Sequence, residues 1–197
     1  MPPPSRTALF IDAAYLDHLT RGPLAMGGSP LALDMPRLPA LLNGGTRPGL
    51  TGYYHALPWL SDPPLPAEHA LYEARRRFLA FLERQRGWRL RAGRTERRGG
   101  HRPGDWVYEQ KRCDVLLAVD LVRMAWRGEI EAALLLAGDS DLVPAVCDAR
   151  EAGVRVGLRY FPGTAHADLV ACCDEARPLD VAALRAISRP AGPRPGA

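Results

Sequence analysis

Ala132-Ala-Leu-Leu-Leu-Ala-Gly-Asp139-Ser-Asp141-Leu-Val-Pro144 is an apolar run of strand length that stops at Gly138 and delivers two carboxylates one residue apart. Pro144 stands where the first turn of a following helix tolerates it, so the stretch predicts a strand running through an acidic turn into a helix. In open α/β sheets ligands bind outside the carboxyl ends of the strands, which puts Asp139 and Asp141 where chemistry is usually done. Thr7-Ala-Leu-Phe-Ile11 repeats the pattern, stopping at Asp12 just ahead of a helical segment. A further acid, Asp114, opens the apolar segment Val115-Leu-Leu-Ala-Val119, and Asp120 follows it. Several acids at the ends of elements suggest a metal.

Working outward, residues 142–152 read as a helix and the β-branched run 154–160 as the next strand, so the crossover makes the two strands parallel. Residues 13–20 form a helix ended by Gly22-Pro23, Asp34 is a candidate cap for a helix through Leu38, Leu41 and Leu42, and 50–57 is a second strand. Residues 67–86 give the longest helix, 88–95 a third strand, 97–104 a mobile basic loop, 114–127 a buried helix and 167–173 a short last helix. The tail from Arg189 to Ala197 is too rich in Pro and Gly to fold. The pattern is that of one α/β domain.

With 47% apolar and 24% charged residues the composition is that of a globular chain. No apolar run approaches the roughly 20 residues of a membrane span, and Met1-Pro-Pro-Pro-Ser lacks the apolar core of a signal peptide, so no membrane partner and a cytoplasmic location are expected. The four cysteines (Cys113, Cys147, Cys172, Cys173) include no CxxC pair and predict reduced, mostly buried thiols rather than a zinc site or disulfides. The five histidines show no ligand spacing, and Tyr53, Tyr54 and Trp59 are expected in the core.

Net charge is +4, yet between Arg75 and Arg112 twelve Arg and Lys111 stand against four acids, so the rest of the chain is net negative. A single Lys among 26 basic residues is a compositional bias; the bias explains Arg over Lys but not the clustering. Concentrated cations are the footprint of a polyanion, and Arg94, Arg97, Arg98, Arg102, Lys111 and Arg112 are the candidate nucleic-acid contacts.

Three blocks, Leu9-Phe-Ile-Asp12-Ala-Ala-Tyr-Leu16, Gln110-Lys-Arg-Cys-Asp114-Val-Leu-Leu-Ala-Val-Asp120 and Leu136-Ala-Gly-Asp139-Ser-Asp141-Leu-Val-Pro144, occur in the order found in the NYN family of PIN-like nucleases, which the chain resembles from about Arg6 to Asp174. The resemblance implies a three-layer α/β/α sandwich with a mainly parallel central sheet of PIN-like, Rossmann-like topology. It also implies an acid cluster holding Mg²⁺ or Mn²⁺ for the cleavage of RNA, single-stranded or structured. Carried over residue by residue, the catalytic set is Asp12, Asp114, Asp139 and Asp141, and the metal set adds Asp120. Ala13 and Tyr15 stand where the family has Gly and Asn, so that Asn's polar contact is missing. The domain is then expected over residues 6–176, with residues 1–5 disordered and 177–197 a C-terminal extension ending in a flexible tail.

Taken alone, Asp141 or Ser140 reads as a helix cap, Asp114 as another cap and Asp12 as a turn residue; it is the shared place of the acids at the outlet of one sheet that points to a metal site. Gly138-Asp139-Ser140 also resembles the last acidic motif of haloacid dehalogenase-like phosphatases. Those enzymes place a second Asp two residues after the nucleophile, however, and Asp12 is followed by Ala13-Ala14. The stronger rival is an RNA-binding or regulatory scaffold protein that keeps the fold with little turnover. A homodimer is compatible with the sequence, which fixes no oligomeric state.

Overall fold

The computed structural model describes residues 6–26, 28–99 and 106–189. Its centre is a six-stranded sheet of β1 (Thr7–Asp12), β3 (Leu50–His55), β4 (Trp88–Ala92), β7 (Ala132–Leu136), β8 (Arg155–Tyr160) and β9 (Glu175–Pro178), in the order β4-β3-β1-β7-β8-β9. Every neighbouring pair is parallel, as the strand-helix-strand reading requires. The chain builds outward from β1 to β3 and β4, then returns to lay β7 against the other side of β1 and continues to β8 and β9. The order therefore reverses between β1 and β7, and that junction is the topological switch point of the sheet.

Period-two alternation sorts the strand residues into two cores. Leu9, Ile11, Tyr53, Leu134 and Leu136 pack on one face with α1 (Ala13–Arg21), α2 (Leu38–Leu42) and α3 (Pro66–Glu83). Ala8, Phe10, Tyr54, Leu135 and Val156 pack on the other with α4 (Cys113–Trp126), α5 (Val143–Glu151) and α6 (Ala167–Cys172). The result is the three-layer α/β/α sandwich. Tyr53 and Tyr54 lie in the core as expected.

Several elements differ from the sequence reading. The third strand is two strands: Gly93 ends β4, and β5 (Arg94–Gly99) leaves the sheet to pair antiparallel with β6 (Trp106–Lys111). A Cβ at Gly93 would lie 2.3 Å from the Lys111 carbonyl and 2.8 Å from Cys113 Sγ, so the hairpin closes only over a glycine. The expected basic loop at 97–104 is thus strand as far as Gly99; its remainder, residues 100–104 with Arg102, lies outside the described residues. α2 starts at Leu38 with Arg37 as its N-cap residue, while the Asp34 carbonyl accepts from the backbone amides of Arg37 and Leu38 in the preceding turn. α4 buries Leu117, Leu121 and Met124 but leaves Val115, Val119 and Trp126 more than half exposed, so it is amphipathic rather than buried. Among the thiols, all free, only Cys113 is buried; Cys147 is exposed and Cys172 and Cys173 are half-buried.

Short elements beyond the pattern complete the domain. β2 (Ala32–Leu33) pairs antiparallel with β10 (Ser188–Arg189), and α7 (Val181–Ala186) packs against α2 and buries Leu184 in the core of that face. Residues 177–189 continue the fold, and the Pro/Gly tail expected to be flexible falls, from residue 190 on, outside the described residues, as do residues 1–5. Among the described residues no helix is long and apolar enough to cross a membrane.

Candidate active site

β1 runs straight into α1, and the residue at the junction is Asp12, whose carboxylate caps the helix by accepting from the Ala14 amide at 2.9 Å. β7 ends one strand over and repeats the device: Asp139 Oδ1 accepts from the Asp141 amide at 3.0 Å and caps a 3-10 turn, Ser140–Leu142, that leads into α5. The caps are thus Asp12, expected as a turn residue, and Asp139, in place of the expected Asp141 or Ser140, and the capping bonds fix both carboxylates at the switch point. α4 approaches from the other side. Its N-cap residue is Arg112, in the left-handed region at φ 76 with no side-chain cap, so Asp114 occupies the first turn without being the cap.

The electrostatics show that these acids share one place. Asp12 is 7% exposed. Burial first, then the charges of Asp114 and Asp139, push its carboxyl up to about 6, against the downward pull of the Tyr15 and Ala14 amides. Asp114 is raised from its ordinary value by burial and then by the charges of Asp139 and Asp141. Asp139 and Asp141 themselves are exposed. The structure therefore brings Asp12, Asp114, Asp139 and Asp141 within electrostatic reach of one another, and among the described residues none of them forms an ion pair with Lys or Arg. Among the described residues there is also no group of three or more His, Cys, Asp or Glu side chains arranged to hold a metal ion.

Asp120 belongs elsewhere. It is fully buried six residues along α4, where its carboxylate takes Arg91 Nε at 3.0 Å, an Arg123 guanidinium nitrogen at 2.9 Å and the Tyr54 hydroxyl at 3.2 Å. Its three partners give it a structural role between β3, β4 and α4.

The crevice over Asp12 and Asp139 has a volume of about 550 Å³, and its far rim is the loop after β8. Local periodicity does not mark this rim. Phe161 N–H donates to the Tyr15 hydroxyl at 3.1 Å, and the Thr164 hydroxyl bonds the Phe161 carbonyl at 2.8 Å. The remaining 2.7 Å contact between Tyr15 and Thr164 then has Tyr15 as donor. This closed ring of hydrogen bonds bolts the loop to α1, so Tyr15, in place of the family's Asn, supplies a polar contact of its own. Gly138 makes the fit possible, since a Cβ there would meet the Tyr15 ring and the Thr164 carbonyl at 2.6 Å. His18 and His166 line the same crevice. The only cue in the sequence was Tyr15 itself at the Asn position; Thr164 is 149 residues away and meets it only in the fold.

The candidate phosphate contacts lie on the β5–β6 hairpin and its exit. Arg94 pairs with Glu96, Lys111 with Glu109 at 2.7 Å, and Arg98 reaches Glu109 at 3.5 Å and Glu96 at 3.7 Å. Arg97 stacks instead on the rings of Trp106, at 4.2 Å, and Trp59, at 5.3 Å. Arg112 is exposed at the start of α4.

No curated protein sequence matches the chain significantly. Among solved structures, a crystal structure of a protein of unknown function from Vibrio parahaemolyticus is similar at 18% identity with a TM-score of 0.60, covering 91% of this chain and 96% of that one, which speaks for the fold alone. The family model of the NYN domain matches residues 6–180. The switch-point acids of β1 and β7 lie inside this match, which spans most of the 197 residues, and the chain belongs to the NYN domain family of PIN-like, nuclease-type domains.

Proposed function

We propose that this protein is a metal-dependent ribonuclease that hydrolyses RNA phosphodiester bonds in the crevice at the carboxyl ends of β1 and β7. The observation that carries the reading is the convergence of Asp12, Asp114, Asp139 and Asp141, from three elements, on one switch point where burial and mutual repulsion hold Asp12 up at about 6. Repelling hard-oxygen donors without a basic partner are the donor set that Mg²⁺ or Mn²⁺ takes, and PIN-like nucleases generally use divalent metals. Bound there, such an ion supplies positive charge for a phosphate oxygen and a water of lowered pKa. The chain's own part is positioning. The amides of Ala14 and Asp141 fix the Asp12 and Asp139 carboxylates, and the Tyr15–Thr164 bolt holds the opposite rim at a set distance. Asp114, from a separate element, is placed to bear on turnover as a metal or water ligand.

The wider spacing of the acids, which form no ready three-ligand group among the described residues, favours a second reading: an RNA-binding or scaffold protein of the same fold with little turnover. The test is incubation of end-labelled single-stranded RNA with the full chain, with Mn²⁺ or with a chelator. Metal-dependent cleavage supports the nuclease; binding without cleavage supports the scaffold.

A further inference from the structure

Beside the carboxylate crevice lies a second cleft, of about 710 Å³, within the roughly 300–1,000 Å³ range of ligand clefts. Its walls come from α1, α3 and the β5–β6 hairpin, and include Trp59, Thr95, Tyr108 and Gln110. Ala14 and His18 line both clefts, so the two are continuous across α1.

The hairpin has two unlike faces. Its register sets Thr95 opposite Gln110, Arg97 opposite Tyr108 and Gly99 opposite Trp106, which puts these residues on one side of the ribbon. Arg94, Glu96, Arg98, Glu109 and Lys111 fall on the other, where three cations and two carboxylates pair among themselves. The charged face is thus nearly spent on itself. The aromatic face is not: Trp106 is 51% and Tyr108 50% exposed, with Arg97 lying against Trp106. In addition, the Trp59 indole nitrogen, behind Arg97, is buried without a hydrogen-bond partner.

Half-exposed aromatic rings and a guanidinium plane are what unpaired nucleobases stack on, whereas duplex bases are already stacked and present backbone and groove edges rather than free ring faces. We propose that the aromatic face of the β5–β6 hairpin and its cleft form a base-stacking subsite for single-stranded RNA, which feeds the strand over Ala14 and His18 to the carboxylate crevice. This deepens the ribonuclease reading and rests on it for the direction of the strand.

The test uses the full chain in chelator, so that binding is read without cleavage. Fluorescence anisotropy measures affinity for a short single-stranded RNA and for a duplex of equal length across a salt series. Stacking predicts that Tyr108→Ala and Trp106→Ala each weaken single-strand binding by about 5- to 150-fold. Duplex affinity and the melting temperature stay unchanged, and Tyr108→Phe binds like the wild type. The slope of affinity against salt also stays constant, because stacking releases no counterions. Unchanged single-strand affinity in the Ala variants, or an equal loss for duplex with a flattened salt slope, overturns the proposal. A wild type that binds single strands in this way but never cleaves with metal leaves the subsite standing and removes only the nuclease reading.

Discussion

Asp12→Asn should make this protein more stable at neutral pH while abolishing the proposed RNA cleavage. Asp12 is buried beside Asp114 and Asp139, and its carboxyl titrates near 6 where the ordinary value is 3.8. Between those two values the unfolded chain has released the proton and the folded chain still holds it, so stability falls as pH rises and the full penalty is present above about pH 7. Holding the carboxyl proton up to about 6 instead of 3.8 corresponds to about 3 kcal/mol. Asn caps a helix about as well as Asp, so the contact to Ala14 survives while the buried charge goes. For a domain of this size about 3 kcal/mol is a rise of roughly 6–12 °C in melting temperature. Thermal denaturation of both proteins in chelator from pH 4 to pH 8 reads it directly. The curves should nearly coincide at pH 4, diverge between about pH 4 and pH 6 and stay apart above it; a variant less stable at pH 7, or a difference that ignores pH, refutes the electrostatic account of the crevice.

Asp114 is not the N-cap of α4, so Asp114→Asn should leave folding and RNA binding intact and lower the cleavage rate by about 10- to 100-fold; normal cleavage would shrink the site to Asp12, Asp139 and Asp141. Asp120→Asn disturbs the contacts to Arg91, Arg123 and Tyr54 and should cost roughly 1–3 kcal/mol in denaturant unfolding without changing the rate per folded molecule. A well-folded but inactive Asp120→Asn protein would return that residue to the site.

The parts of the fold legible in the sequence were those fixed by local periodicity. Thr7–Asp12 and Ala132–Leu136 are short, apolar and followed by helices, and two such units leave a parallel sheet with acids at its switch point. What escaped was decided by distant partners. β2 and β10 have only two residues each and exist because they meet. β9 follows Asp174, whose carboxylate accepts from the Val156 amide at 2.8 Å at the sheet edge. The Arg-rich strand β5 carried the composition of a loop, because its pairing depends on glutamates and aromatics in a strand the sequence did not show. In the site, the acids were visible by type and spacing, whereas the Tyr15–Thr164 bolt and the diversion of Asp120 into an ion-pair network appear only when side chains from separate elements come together.

The central claim is that the crevice joining β1 and β7 cleaves RNA with a divalent ion held by its carboxylates, and Asp139→Asn tests it most directly. Asn keeps the cap to the Asp141 amide and removes one charge at an exposed position, so the fold is undisturbed. Single-turnover cleavage of single-stranded RNA in Mn²⁺ should be readily measured for the wild type, absent in chelator, and lost in Asp139→Asn even though the variant still binds the RNA. Equal cleavage by the two proteins, or cleavage indifferent to chelator, would contradict the account.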